Sequence, residues 1–434
     1  MNIKKESTDG GLRSLVGTRK FYKKVLLVAV PIMIQNGITN FVSLLDNIMV
    51  GQVGTEQMSG VAIANQLVFI FNLCIFGAVA GAGILSAQFY GSGNAEGVRD
   101  TFRFKLLFGV ILSAIFAVIF LTVGEPLIQQ FIHQGEGIGD LEATRSYGKA
   151  YLEVIVIGIL PFALTQCYSG TLRETGETVI PMIAGIIAVL VNLVFNYILI
   201  FGKLGAPELG CVGAAIATVL SRFVELAIVA GWTHKHVARN PFIRGALRSF
   251  KIPGSLLKQI IAIGLPLFIN ELMWSFGITF MTQCYSVRGL EVVAAFNIAN
   301  TISNVFNVVF LSLGNSVGII IGQMLGAGRL EEAKREDKQL IAFSVFCCFL
   351  TGAMLILLSP FFPRMYNTEE IVKGLATQLI FITGCCQPLY GFVHGTYFTL
   401  RAGGKSVVTF LFDSTYMWVI PIPIVFALAR FTSI

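Results

Sequence analysis

One carboxylate, Asp46, lies inside a long apolar run, where an acid can do two kinds of work. Its oxygens can hold a cation such as Na⁺, or the group can exchange a proton with water. The structural alternative is a carboxylate near the outer interface, hydrogen-bonded to amides at a helix end. Two amides four residues apart, Asn192 and Asn196, share one helix face. Their side-chain oxygens are neutral ligands able to complete a cation site built on a carboxylate, and the same groups serve as polar contacts between helices. Thr218 follows the small residues Gly213-Ala214-Ala215-Ile216-Ala217, which permit close helix approach, and read alone it is structural. Glu271 and Asp413 are further acids in apolar runs. Each could attract a cationic substrate, carry a second proton, or make an interhelical hydrogen bond or salt bridge. Glu153, Arg222 and Glu225 are weaker candidates, the last two at a spacing of three that suits an ion pair. His394 stands alone and reads as structural.

The elements that carry these residues are membrane helices. The 434 residues are 55% hydrophobic and 13% charged, with a mean hydropathy of +0.77. Soluble domains are roughly 25% charged, so this composition cannot cover a water-soluble surface. Apolar runs recur at the length needed to cross a hydrocarbon layer about 30 Å thick. They do not alternate as barrel strands would. The expected fold class is therefore an all-α polytopic membrane protein. Eleven spans are expected, approximately 25–50, 57–90, 102–123, 147–171, 179–201, 211–232, 258–286, 292–325, 339–361, 371–399 and 406–429.

The chain is also written twice. Shifted by 235 positions, residues 31–96 fall on 266–331 without a gap, with 16 of 66 identical. Pro31 meets Pro266, Ile63-Ala64-Asn65 meets Ile298-Ala299-Asn300, Phe71-Asn72 meets Phe306-Asn307, and Gln88, Gly91, Gly93 and Glu96 meet Gln323, Gly326, Gly328 and Glu331. Apolar composition alone does not align Asn, Gln and Glu at one offset. The repeat implies two six-helix bundles related by a pseudo-twofold axis along the membrane normal, with a cavity between them near the midplane. The partner of span 211–232 would fall near 446–467, beyond Ile434, so the twelfth helix is expected to be absent from this chain. The expected parts are an N-terminal tail (1–24), an N-lobe (25–232), a linker (233–257) and a C-lobe (258–434). The acidic chemistry differs between repeats, since Met281 stands at the partner position of Asp46.

Lys and Arg set the orientation. A cytoplasmic N-terminus puts 23 of the 31 basic residues on the cytoplasmic side, seven on the other, and Arg222 within a span. That bias accounts for the +7 net charge without nucleic acid. No phosphate-binding G-x-x-x-x-G-K-[ST] run is present, and Gly91-Ser92-Gly93-Asn94 reads as a repeated turn. The eight cysteines, with no C-x-x-C, read as packing thiols. Four scattered histidines argue against a membrane-embedded enzyme. A non-transporting receptor or scaffold is a third class.

At these residues the chain resembles the multidrug and toxic compound extrusion (MATE) family. The matching segments are Pro31-x-x-x-Gln35, Asp46-Asn47-Ile48-Met49-Val50-Gly51-Gln52-Val53-Gly54, Gln88-x-x-Gly91-x-Gly93 and Gly170-Thr171-Leu172-Arg173-x-x-Gly176, whose echo is Thr399-Leu400-Arg401-Ala402-Gly403-Gly404. Gly210-x-x-Gly213-Ala214-Ala215-Ile216-Ala217-Thr218 completes the set. The resemblance implies twelve helices in two lobes and a Na⁺ or H⁺ antiporter, with no cofactor, that expels small organic, often cationic, compounds. Its setting would be the bacterial inner membrane, with the lipid bilayer as its surroundings and a single chain as the working unit. Carried over by position, Asp46 matches the family's N-lobe carboxylate, Asn192 and Asn196 its polar pair on the fifth helix, and Thr218 the threonine of its sixth. Asp46, Asn192 and Asn196 would then hold Na⁺ or a proton, and Gln35, Glu271 and Asp413 are candidates for the substrate cavity. Some members have Asp where this chain has Asn196. Others use acids on helices 7 and 10, but here the helix 10 acid is absent and Glu271 is displaced by about a turn, so that site is not carried over. A flippase for lipid-linked oligosaccharides is the second transport reading, but its cavity would need several cationic residues for pyrophosphate.

Overall fold

The computed structural model describes residues 15–131, 140–366 and 368–431. Among them every element is helical. Hydropathy marks only the part of a helix that lies in hydrocarbon, whereas the i→i−4 ladder continues into the polar flanks. α1 therefore runs Arg19–Gly51. Arg19, Lys20, Lys23 and Lys24, expected in a tail ending at residue 24, form its first turns, and residues 1–14 of that tail lie outside the described residues. The helices that follow are α2 (Thr55–Gly91), α3 (Ala95–Phe131), α4 (Leu141–Glu174), α5 (Val179–Ile200), α6 (Gly210–Lys235), α7 (Gly254–Ser286), α8 (Leu290–Gly326), α9 (Leu330–Leu358) and α10 (Glu370–Ala402).

Among the described residues ten helices are long and apolar enough to cross a membrane, against eleven expected. The one outside that set is α10, which is 33 residues long but is diluted by Gln378, Gln387 and His394. The last run is also not one uniform α-helix. It proceeds through α11 (Ser406–Phe410), a π-helical turn (Leu411–Thr415), α12 (Tyr416–Val419) and α13 (Pro421–Phe431). Pro421 has no amide hydrogen to continue the ladder, which explains the break before it.

The repeat seen in sequence recurs in backbone geometry. Gly93, after α2, and its partner Gly328, after α8, both have φ of 73°. Only glycine adopts that left-handed conformation without penalty.

Two compact units form. One comprises residues 34–274; the other joins residues up to Met33 to those from Ser275 onward. The divisions fall inside α1 and α7, for a packing reason. Phe21, Val25 and Ala29 of α1 bury against Leu313, Val317 and Ile321 of α8, whereas Ile260 of α7 buries with Ala82 and Leu85 of α2. In the 34–274 unit, Phe71, Ile75, Ile155 and Ile159 centre a core shared by α2, α4 and α6. The linker belongs to this unit and is not a loose tether. Phe242 is buried against Phe102 at 5.4 Å. Arg103 donates to the carbonyls of Gly245 (2.8 Å) and Ala246 (2.9 Å), which pins the 3₁₀ turns Pro241–Ile243 and Ala246–Arg248 onto α3.

Candidate functional site

The 34–274 unit brings Asp46, Asn192, Asn196 and Thr218 together. Asp46 is half-buried five residues before the end of α1, and α5 presents its two asparagines one turn apart on the face turned inward. Asn196 Nδ2 donates to Asp46 Oδ1 at 2.6 Å and to Asn192 Oδ1 at 3.2 Å. With the Asn192 amide turned so that its nitrogen faces the acid, it donates to both Asp46 oxygens at 3.0 and 3.1 Å and accepts from Thr218 Oγ1 at 3.3 Å. Small residues make this approach possible: Ala214, Ala215 and Ala217 are buried, and α6 packs along α5 with Thr218 facing it.

This arrangement meets the cost of placing an acid among apolar helices. A carboxylate that receives amide N–H bonds keeps its charge at lower cost, and charge-assisted bonds are the stronger kind. An asparagine amide is also two-faced, because rotation exchanges its N–H donors for a carbonyl oxygen. The set can therefore present N–H groups to a bare carboxylate or oxygens to Na⁺, whose hard ligands these are. Asn196 Oδ1 is buried and has no hydrogen-bond partner among the described residues, so one such oxygen stands beside the acid without compensation.

Asp46, Asn196 and Thr218 line a cavity of about 300 Å³ inside the unit. Asn65, Asn72, Tyr151, Phe162 and Arg222 line it too. Tyr151 donates to Asn65 Oδ1 at 3.2 Å. Sequence reading did not assign Asn65, Asn72 or Tyr151 to a site, although a signal existed for two of them. Asn65 and Asn72 are polar positions kept in both repeats, seven residues apart and so on one face of α2. At the repeat partner of Asn72, Asn307 Oδ1 accepts from Gln387 Nε2 at 3.0 Å in the other unit. Tyr151 carried no such mark.

The three substrate-cavity candidates do not line this cavity. Gln35 is held elsewhere, accepting from Arg173 Nη2 at 2.6 Å. Glu271 sits half-buried on α7 in the same unit. Asp413 is in the π-helical turn of the other unit. His394 donates from Nδ1 to the Tyr390 carbonyl (3.1 Å) and packs on Phe310, a structural role. Arg222 and Glu225 pair as their spacing predicts, at 3.5 Å. Sequence reading missed a buried ion pair, Lys105 Nζ to Glu174 Oε2 at 2.5 Å, which joins α3 to α4.

Comparison with known proteins places the fold. The MatE family model matches residues 31–198 and 266–426, one segment in each repeat. A probable multidrug resistance protein NorM of Thermotoga maritima is 26% identical over 412 residues, covering 94% of this chain and 86% of its own. A probable multidrug resistance protein YoeA of Bacillus subtilis is 25% identical over 426 residues, covering 95% and 88%. Among solved structures, an outward-facing multidrug resistance MATE family transporter of the MOP superfamily superposes with a TM-score of 0.85 at 21% identity, over 99% of this chain and 92% of that one. With both repeats matched, the chain belongs to the MatE family and is a membrane transporter, not an enzyme.

Proposed function

We propose that the chain is an ion-coupled antiporter that exports organic compounds, cationic ones among them, across the bacterial inner membrane by alternating access. The names of its relatives as multidrug resistance proteins support the substrate class. The observation that carries the coupling reading is the single acid Asp46, held by Asn192 and Asn196 on the wall of a cavity. One carboxylate can be neutralised by a coupling cation or by the cationic group of a compound in the cavity, but not by both at once. That exclusivity is the thermodynamic requirement for exchange, because a ligand shifts a conformational equilibrium only through its different affinity for the two states. Na⁺ would recruit the amide oxygens of Asn192 and Asn196, whereas a proton would need only Asp46. Thr218 steadies the Asn192 amide in either orientation.

Equilibrium competition tests this. A fluorescent organic cation is bound to the purified chain, and Na⁺ is titrated at fixed pH, then pH at fixed Na⁺. One of the two ions should displace the probe from the wild type and have no effect on Asp46→Asn. Displacement that survives the substitution would remove Asp46 from the coupling site.

A further inference from the structure

Arg222 makes no hydrogen bond or ion pair with Asp46, Asn192 or Asn196 among the described residues. It lies midway along α6, one turn beyond Thr218, where an intramembrane cation is costly and is a functional candidate by default. Its most direct structural role would be to neutralise Glu225, yet the contact is single and long, Nη1 to Oε2 at 3.5 Å. Charge-assisted bonds of this kind are ordinarily about 2.7–2.9 Å. The Glu225 side chain is 7% exposed and that of Arg222 is 35% exposed, so the acid is enclosed while the guanidinium opens onto the cavity it lines. The guanidinium lies 4.8 Å from the centre of the Phe162 ring, which also lines the cavity. That cation–π contact holds the group beside the ring without using its N–H donors. Asp46, the acid on the same cavity, is beyond ion-pair distance of Arg222 among the described residues and is held by the α5 amides instead.

The cavity thus carries one negative group already supplied with donors and one positive group with donors to spare. We propose that Arg222 determines specificity by binding a carboxylate on the transported compound, so that the cavity takes apolar or aromatic zwitterions, with the cationic group toward Asp46. A planar guanidinium fork matches a carboxylate in two parallel hydrogen bonds. This assignment rests on the reading of the cavity as the compound's binding site.

The test compares a fluorescent aromatic amino acid derivative with its methyl ester, which keeps the amine and removes the negative charge. Binding to the full chain is measured by anisotropy in detergent, and flux in proteoliposomes. The acid should bind the wild type about tenfold tighter than the ester, the worth of one charge-assisted contact. Arg222→Gln should bring the acid-to-ester ratio to near one, and Arg222→Lys, which keeps the charge without the fork, to an intermediate value. Equal affinities in the wild type, or a ratio that survives Arg222→Gln, would overturn the proposal. Should Arg222→Gln fail to fold because Glu225 is left alone, the double variant Arg222→Gln/Glu225→Gln carries neither charge, and its ratio decides the matter in the same way. Gradient-driven export of the ester without preference for the acid would overturn the role of Arg222 and leave antiport standing. Preference for the acid in binding, with no gradient-driven flux of either probe, would do the reverse.

Discussion

Asn196 makes the shortest hydrogen bond to the cavity acid Asp46. It is 1% exposed, donates to Asp46 at 2.6 Å, and its own oxygen has no partner among the described residues. Asn196→Leu would remove both the donor and the oxygen while keeping the branched heavy-atom skeleton. The ion concentration needed for half-displacement of a bound organic cation should change by about tenfold or more, the worth of a hydrogen bond to a charged group. An unchanged midpoint in that titration would mean that Asn196 only packs α5 against its neighbours. At this scale the sequence was readable where chemistry is local. An acid in an apolar run and two amides at helical spacing each carry their meaning within a few residues. Tyr151 and Arg222 became cavity residues only through the packing of α4 and α6 around α2, and no spacing along the chain encodes that.

At the scale of elements, the α3–α4 contact depends on a buried charge pair. Lys105 is 0% and Glu174 12% exposed in side-chain terms, with Thr171 Oγ1 accepting a further bond from Lys105 at 3.2 Å. Removing one partner of such a pair strands the other, at a cost of about 3–5 kcal/mol, whereas replacing both with apolar residues is often neutral. Glu174→Met, which leaves the fully buried Lys105 ammonium without its acid, should therefore lower the thermal midpoint of the detergent-solubilised protein clearly, and Lys105→Met/Glu174→Met should recover most of the loss. A double variant no better than the single one would show that the pair is not the source of the stability. The α2–α4 contact relies instead on the absence of side chains. A Cβ on Gly60 would lie 2.6 Å from the Thr144 carbonyl oxygen and 2.7 Å from the Gly148 nitrogen, both backbone atoms that cannot swing aside. Gly60→Val should accordingly destabilise by at least about 1–3 kcal/mol, read in the same melt. A melt unchanged by that substitution would mean that the helices can separate freely there. Helix identity was legible from hydropathy, but helix extent was not. α9 starts at Leu330, not near 339, because Glu331, Glu332, Lys334 and Arg335 are good helix formers that hydropathy discards. The π-helical turn at Leu411–Thr415 had no signature in the apolar pattern.

For the whole molecule, the repeat at an offset of 235 was the most informative feature of the sequence, and it returns as matched glycine turns and as the two matched segments of the family. The packing adds that the first half of α1 and the first half of α7 take buried partners from residues distant in sequence. The asymmetry between repeats bears on coupling. Asp46 faces a cavity in one unit, and its partner position holds Met281, so ion coupling should fail when that one acid is changed. The most direct measurement is efflux of a fluorescent organic cation from proteoliposomes containing the full chain or Asp46→Asn, with a Na⁺ gradient and a pH gradient imposed separately. The account predicts wild-type efflux driven by one of the two gradients and none above the protein-free rate in Asp46→Asn. Gradient-driven efflux of equal size in both proteins would contradict it.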